Sequence, residues 1–230
     1  MKILALETSA KAVSAAVTED GKVLVCGYQD TGLTHSRTLM PMVEGILKNA
    51  DLTLSDMDAI AVAAGPGSFT GIRIGVSAAK GLAFGADKPA VGVSTLAAMA
   101  RNVAHMNGLV ICAMDARRQQ IYNALFQVKD GQLSRLTPDR AISLADLTAE
   151  LNAYDCPKIV VGDGARLCYN YLSEQGVSCQ IAPPHLVMQN AMSVALEAEE
   201  AVRNGMLGSA QDLQPVYLRP AQAQLLRDRL

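Results

Sequence analysis

The chain has 230 residues, of which 50% are hydrophobic and 18% are charged, and its formal net charge is −2. This composition is ample for a packed core and argues against an intrinsically disordered chain. The sequence also lacks a cluster of basic residues, so we expect any contact with RNA to depend on a partner that neutralises the phosphates.

The first half of the sequence predicts strands that alternate with helices, because short apolar runs alternate with segments of helical apolar spacing. Strands are predicted at residues 2–6, 13–17, 23–28, 59–64 and 90–93, and helices at residues 36–50, 70–84 and 95–105.

The second half repeats this alternation. Strands are predicted at residues 109–114, 121–128, 133–136 and 158–161, and helices at residues 144–151, 165–173 and 190–204. Ser143 is the predicted N-cap of the first of these helices. The tail QPVYLRP covers residues 214–220.

Each half contains an apolar strand that ends in an acid and is followed by a second strand. The acids are Glu7 and Asp115, and the second strands begin six positions later, at Val13 and Ile121. This indicates an α/β fold of two related lobes with mixed sheets flanked by helices. We place the lobes at residues 1–107 and 108–230, and the last helix and the tail are free to pack back on the first lobe.

Polar and glycine-rich turns follow several predicted strands and would meet at a cleft between the lobes. Such turns hold nucleotide phosphates through backbone N–H and hydroxyl groups, although a polar hairpin tip is the simpler interpretation of the first one. The candidate nucleotide or phosphate site comprises Glu7, Thr8, Ser9, Asp115, Gly162, Asp163 and Gly164.

The segment GPGSFTG, residues 65–71, is typical of a constrained turn that begins a helix. It lacks the lysine of a phosphate-binding P-loop, since Gly71 is followed by Ile72 and Arg73. Glycines within the next helix cost about 1 kcal/mol each. Close approach of a partner helix would offset that cost, and so would packing against the sheet.

The apolar surface of helix 36–50 is wider than one face, which suits either a core position or a partner contact. With helix 70–84 it forms the candidate partner interface. Its predicted residues are His35, Leu39, Met42, Val43, Ile46, Gly71, Arg73, Gly75, Val76 and Ala79.

Catalytic and metal-binding motifs are not readable in the sequence. The histidines at 35, 105 and 185 lack metal-ligand spacing, and no hydrolase motif is present. We therefore predict no catalytic residue and no metal.

The N-terminus becomes polar by residue 7, unlike a secretory signal, and no apolar run is long enough for a membrane span. We expect a cytoplasmic protein with reduced cysteines, of which Cys26 and Cys112 lie in apolar runs and are predicted to be mostly buried.

Six segments, in this order along nearly the whole chain, resemble the TsaB (YeaZ) family. They are ILALETSA, HSxxLMPM, GPGSFTGIRIG, GVSTLAAMA, DARRQQIY and PVYLR. The resemblance implies the ASKHA fold of actin-like and sugar-kinase-like proteins. It also implies a role in the bacterial machinery that makes N6-threonylcarbamoyladenosine at position 37 of tRNAs.

In that machinery the related transferase TsaD holds a metal through an H-x-x-x-H pair. By this resemblance the equivalent positions here are Thr95 and Met99, and neither replaces a histidine ligand. The resemblance therefore implies a non-catalytic paralogue that binds and stabilises TsaD, beside the ATPase TsaE. It also implies a homodimer through the same surface and contact with tRNA only through the complex. Weak or bridging ATP or ADP binding stays open.

Three alternatives stay open. The first is an active nucleotide-dependent kinase or ATPase that uses the candidate cleft residues, the second is a glycoprotease-like peptidase, and the third is an assembly module with another partner. We also hypothesise that the small residues at 71, 75, 78 and 79 set an interhelical distance. On that hypothesis Gly75→Leu blocks heterodimerisation and leaves the monomer folded.

Overall fold

The computed structural model describes residues 1–117 and 119–219, and these contain two mixed β-sheets. Arg118 of the DARR segment and Pro220 of the predicted tail lie outside the described residues. Among the described helices, none combines the length and the apolar character that crossing a lipid bilayer requires.

The first sheet has the strand order β3-β2-β1-β4-β5. Its strands are β1 Lys2–Glu7, β2 Val13–Glu19, β3 Lys22–Gln29, β4 Ala59–Gly65 and β5 Ala90–Ser94. The pairs β1–β2 and β2–β3 are antiparallel hairpins. The pairs β1–β4 and β4–β5 are parallel, and their strands are joined through helices.

The second sheet has the order β11-β10-β6-β7-β8, and β9 also pairs with β7. Its strands are β6 Gly108–Asp115, β7 Gln120–Lys129, β8 Gln132–Arg135, β9 Arg140–Ser143, β10 Lys158–Val161 and β11 Gln180–Ile181. The helices of the chain are α1 His35–Asn49, α2 Phe69–Ala86, α3 Thr95–Arg101, α4 Leu144–Leu151, α5 Ala165–Glu174 and α6 Ala191–Arg203.

The first sheet is covered on both faces, which explains its nearly continuous apolar strands. Leu4 and Leu6 of β1 point to α1 and α2, while Ile3 and Ala5 point to α6. The last helix therefore completes the core of the first sheet. The second sheet is covered by α3 on one face and by α4 and α5 on the other.

Several elements differ from the sequence-based predictions. Helix α3 ends at Arg101 rather than at residue 105, and the chain continues in tighter i→i+3 turns. Strands β9 and β11 were not predicted, because β9 (RAIS) has no apolar run and β11 has only two residues. Cys112 is buried as predicted, whereas the prediction for Cys26 is wrong: it is exposed because it lies on the edge strand β3.

Candidate functional site

Glu7 ends β1 at the cleft between the two lobes, and its side chain is 1% exposed. Its Oε1 accepts a hydrogen bond from the Ser9 backbone N–H at 2.5 Å, and Oε2 has no partner among the described residues. Burial, with a smaller contribution from the negative charge of Asp163, raises the pKa of Glu7 to about 7. Near neutral pH this carboxyl group therefore binds or releases a proton.

Thr8 and Ser9 form the turn after β1, and the GPGSFTG segment lies directly against them. The Thr8 hydroxyl donates to the Gly71 carbonyl at 2.8 Å, and the Ser68 N–H donates to the Ser9 carbonyl at 2.7 Å. A Cβ placed on Gly67 would lie 2.5 Å from the Ser9 carbonyl oxygen. The glycine-rich segment is thus a constrained turn, and the Thr8 hydroxyl could hold a phosphate only by giving up its bond to Gly71.

Gly71 and Gly75 were predicted to face a partner, and the structure corrects this. A Cβ on Gly71 would lie 2.1 Å from the Thr8 carbonyl oxygen, and a Cβ on Gly75 would lie 2.3 Å from the Thr8 Oγ1. These glycines let α2 approach β1 inside the chain. A leucine at position 75 would disturb the fold of the monomer itself, which contradicts the hypothesis that they set an interhelical distance.

In the second lobe, Asp115 ends β6 and is exposed. Its Oδ1 accepts a hydrogen bond from the Arg117 N–H at 2.7 Å. Gly162 has a φ of +115°, and a Cβ there would lie 2.2 Å from the Ala113 carbonyl oxygen. A Cβ on Gly164 would lie 2.8 Å from the Asp115 nitrogen. Both glycines serve the close packing of the start of α5 against the end of β6.

Asp163 lies between these glycines and faces the first lobe. Its Oδ1 accepts a hydrogen bond from Gln189 Nε2 at 2.9 Å. Burial raises the pKa of Asp163, Asp115 raises it further, and Lys11 lowers it. The structure therefore brings the predicted acids into one electrostatically coupled group across the cleft. Within residues 1–117 and 119–219, no three His, Cys, Asp or Glu side chains are placed to hold a metal ion.

Thr95 and Met99, at the positions that correspond to the transferase metal ligands, lie in the core. Their exposed fractions are 0% and 1%. The Met99 sulfur lies 2.8 Å from the position that a Cβ on Gly162 would take. The Met99 side chain therefore packs against Gly162 of the second lobe. A thioether and a hydroxyl buried in this way are poor ligands for a hard metal ion.

The predicted partner interface divides into buried and exposed residues. Those that face the first sheet belong to the core of the chain: Leu39, Val43, Ile46, Val76 and Ala79. Their prediction as contact residues is corrected, because the sheet needs these apolar side chains as cover. His35 and Met42 are half-buried, with His35 Nε2 2.7 Å from the Ala10 carbonyl oxygen, and Arg73 is exposed.

We define the α1–α2 surface as the outward side chains of the two helices. It comprises Ser36, Arg37, Met40, Pro41, Glu44, Lys48, Asn49, Thr70, Arg73, Ser77 and Phe84. Met40 is 43% exposed and Phe84 is 78% exposed, and neither was among the predicted contacts. The spacing of Arg73, Ser77 and Phe84 along one face of α2 is the signal that could have found Phe84.

The tail packs against the start of α2 and reaches the second lobe. The Val216 N–H donates to the Ala64 carbonyl at 2.7 Å. The Tyr217 hydroxyl accepts from Arg73 Nε at 2.7 Å, and the Arg73 guanidinium lies 3.7 Å from the centre of the Phe69 ring. An Arg219 terminal nitrogen donates to the Ala116 carbonyl at 2.9 Å. The tail is therefore a strap across both lobes.

Comparison with known proteins gives the family. A family model described as "TsaD: tRNA N6-adenosine threonylcarbamoyltransferase" matches residues 29–228. The "tRNA threonylcarbamoyladenosine biosynthesis protein TsaB" of Escherichia coli is 32% identical over 222 residues, which cover 95% of each chain. The chain belongs to the TsaB family. The TsaB protein of Bacillus subtilis is 38% identical over 167 residues, 73% of each chain.

Solved structures agree with membership of the TsaB family. "YeaZ from Pseudomonas aeruginosa" superposes with a TM-score of 0.81 at 29% identity and covers 94% of this chain and 99% of that one. Component A of an Acidaminococcus fermentans (R)-2-hydroxyglutaryl-CoA dehydratase has a TM-score of 0.53 at 13% identity, over 88% of this chain and 99% of that one, and shows a common fold. The predicted ASKHA fold and the predicted resemblance to TsaB are confirmed.

Proposed function

We propose that this TsaB-family chain acts in tRNA N6-threonylcarbamoyladenosine biosynthesis as a non-catalytic subunit. It binds and stabilises the transferase TsaD through the α1–α2 surface, and TsaE supplies ATPase activity to the same assembly. The support for a role in this pathway is membership of a family whose curated members are named as its biosynthesis proteins.

The observation that carries the non-catalytic role is the burial of Thr95 and Met99. A transferase that holds its metal between two histidines needs two imidazoles that reach the cleft. Here those positions supply a threonine and a methionine that are at most 1% exposed. The side chains instead complete the packing between the lobes.

The support for a partner contact at the α1–α2 surface is its exposed apolar area. Phe84 is the most exposed large hydrophobic side chain of the described residues, and Met40 lies on the neighbouring helix. Exposed aromatic and methionine side chains are enriched at protein interfaces. A homodimer through this surface, and contact with tRNA only through the complex, belong to the same proposal.

The cleft supports at most weak nucleotide binding, either in the chain alone or at its contact with TsaD. The Thr8 hydroxyl already donates its hydrogen bond inside the chain. An active kinase or ATPase would need this donor for phosphates.

The test is reconstitution of threonylcarbamoyl transfer to tRNA from TsaD, TsaE and the adenylate-forming enzyme, with and without this chain. We expect modification only when the chain is present, and no ATP turnover by the chain alone. Phe84→Ala should reduce modification, and the matched Tyr28→Ala variant, an exposed aromatic on β3, should not. Equal modification without the chain would refute the proposal.

A further inference from the structure

Strand β11 forms one edge of the second sheet, and among the described residues it pairs only with β10. The Ala182 N–H donates to the Val160 carbonyl at 2.9 Å, so Ala182 directs its backbone groups toward β10. The residue before it, Ile181, therefore directs its own N–H and C=O groups away from the sheet. An open strand edge of this kind can pair with another extended chain.

A groove of about 580 Å³ runs along this edge. Every residue from Cys179 to Pro184 lines it, so the groove follows the strand edge itself. Pro183 and Pro184 have no N–H group to donate, which limits the open edge to a few residues. The groove therefore fits a short extended segment, and side-chain contacts must supply part of the binding.

The two walls of the groove differ in their chemistry. On the α3 side the wall consists of Met106 and Val187, which pack against the apolar core between α3 and the second sheet. On the α5 side it consists of Arg166 and Tyr169. Successive side chains of an extended chain point to opposite faces, so neighbouring residues of a bound segment would meet different walls.

The charge of the groove is positive. Arg166 is exposed and is the one cation among the described lining residues. The arginines of α3 and α6 form ion pairs, whereas Arg166 forms none within residues 1–117 and 119–219. No Asp or Glu occurs from residue 175 to residue 196, so the strand edge carries no charge that would repel a carboxylate.

A guanidinium of this kind binds a carboxylate side chain through two parallel donors. A single cation is too few to hold a nucleic-acid backbone, which needs several Lys or Arg contacts with phosphates. The apolar wall opposite Arg166 also favours a protein segment, because such a segment can supply an apolar side chain next to its acid.

We propose that the edge of β11 binds an extended acidic segment of a partner protein as an added strand. One Asp or Glu side chain of the segment meets Arg166, and the apolar side chain next to it meets Met106 and Val187. This groove is built from elements of the second lobe, whereas the α1–α2 surface belongs to the first lobe. The proposal is therefore independent of the proposed function.

The first experiment measures peptide binding to the 230-residue chain by fluorescence anisotropy. The probe is a short fluorescein-labelled peptide with blocked ends, in which valine and aspartate alternate. The matched probe has lysine in place of aspartate. At about 0.01 M salt we expect the acidic peptide to bind about tenfold or more tightly than the basic one. Equal binding of both peptides, or binding of neither, would overturn the proposal.

Charge reversal tests the wall that carries Arg166. Arg166→Glu should weaken binding of the acidic peptide about tenfold and strengthen binding of the basic one, because each peptide then meets the opposite charge. The matched control is Arg37→Glu, at an exposed arginine of α1, which should leave both affinities within about twofold. Circular dichroism shows whether each variant is folded. A folded Arg166→Glu variant with the wild-type preference would overturn the proposal.

Backbone pairing is tested without changing the protein. The N–H groups of an extended peptide alternate between its two edges, so N-methylation of the valines blocks one edge and N-methylation of the aspartates blocks the other. At least one of these two forms should bind like the parent peptide, and a peptide methylated at every residue should lose binding. Full binding by the fully methylated peptide would overturn the proposal, and so would amide chemical-shift changes that spare residues 179–182.

Discussion

The Thr8 hydroxyl donates a hydrogen bond to the Gly71 carbonyl, so the first turn of the cleft is fastened to the helix of the α1–α2 surface. Thr8→Val keeps the shape of the side chain and removes this bond. We expect it to lower the free energy of unfolding by about 1 kcal/mol, measured by urea denaturation.

Thr95 offers a matched control for that substitution. It is fully buried, and its hydroxyl has no partner among the described residues. Thr95→Val should therefore be neutral or stabilising, because it removes an unsatisfied polar atom from the core. Equal losses from both variants would contradict a specific role for the Thr8 bond.

Two glycines of α2 should respond in opposite directions to alanine. At Gly75 the added Cβ would lie 2.3 Å from the Thr8 Oγ1, whereas nothing lies within 4 Å at Gly81. Gly75→Ala should lower the melting temperature. Gly81→Ala should raise the free energy of unfolding by about 0.5–1 kcal/mol through helix propensity. A stabilising Gly75→Ala would show that α2 does not pack on the turn as described.

Glu7 should make the stability of the chain depend on pH. Its pKa is raised from 4.5 to about 7 in the folded protein. The folded state therefore holds the proton more tightly than the unfolded chain, and stability falls as pH rises from about 4.5 to just above 7. Glu7→Gln should flatten this slope and gain up to about 3 kcal/mol at pH 8, while it changes little at pH 4.5.

The measurement for Glu7 is urea denaturation of wild type and variant across that pH range. Glu174→Gln, at the exposed end of α5, is the control and should leave the slope unchanged. Asp163 also has a raised pKa, so a smaller slope of the same sign should persist in Glu7→Gln. A steeper slope in Glu7→Gln would refute this account.

Gly65 holds the tail against the first lobe. Its φ is +130°, and a Cβ there would lie 2.3 Å from the Val216 carbonyl oxygen. Gly65→Ala should push the tail away and speed hydrogen exchange in residues 214–219. Gly32→Ala, also at positive φ but with open space around it, separates backbone strain from this clash. Unchanged exchange in Gly65→Ala would show that the tail is held elsewhere.

The sequence predicted the regular elements well where the pattern is local. The strands at 2–6 and 59–64 follow from continuous apolar runs, and the Ser143 side chain accepts from the Asp146 N–H as an N-cap. Glu7, Asp115 and Asp163 lie at or just after the ends of strands, where the pattern placed them, and their role in nucleotide binding stays a prediction. Their coupling depends on burial, which no local pattern reveals.

The helical surface shows why the rest could not be predicted. Leu39 and Met40 are adjacent in the sequence and both apolar, yet Leu39 is 1% exposed and Met40 is 43% exposed. A wide apolar helix does not show which side the sheet will cover. The contact of Arg73 with Tyr217 joins residues 144 positions apart, and such pairs leave no periodic signal in a single sequence.

The placement of α6 on the first sheet has a consequence for synthesis on the ribosome. Ile3 and Ala5 are made long before their cover, Val194 and Ala198. One face of the first sheet therefore stays open to water until α6 has left the ribosomal tunnel. A nascent chain stalled before α6 presents that apolar face to chaperones, however well its first strands have paired.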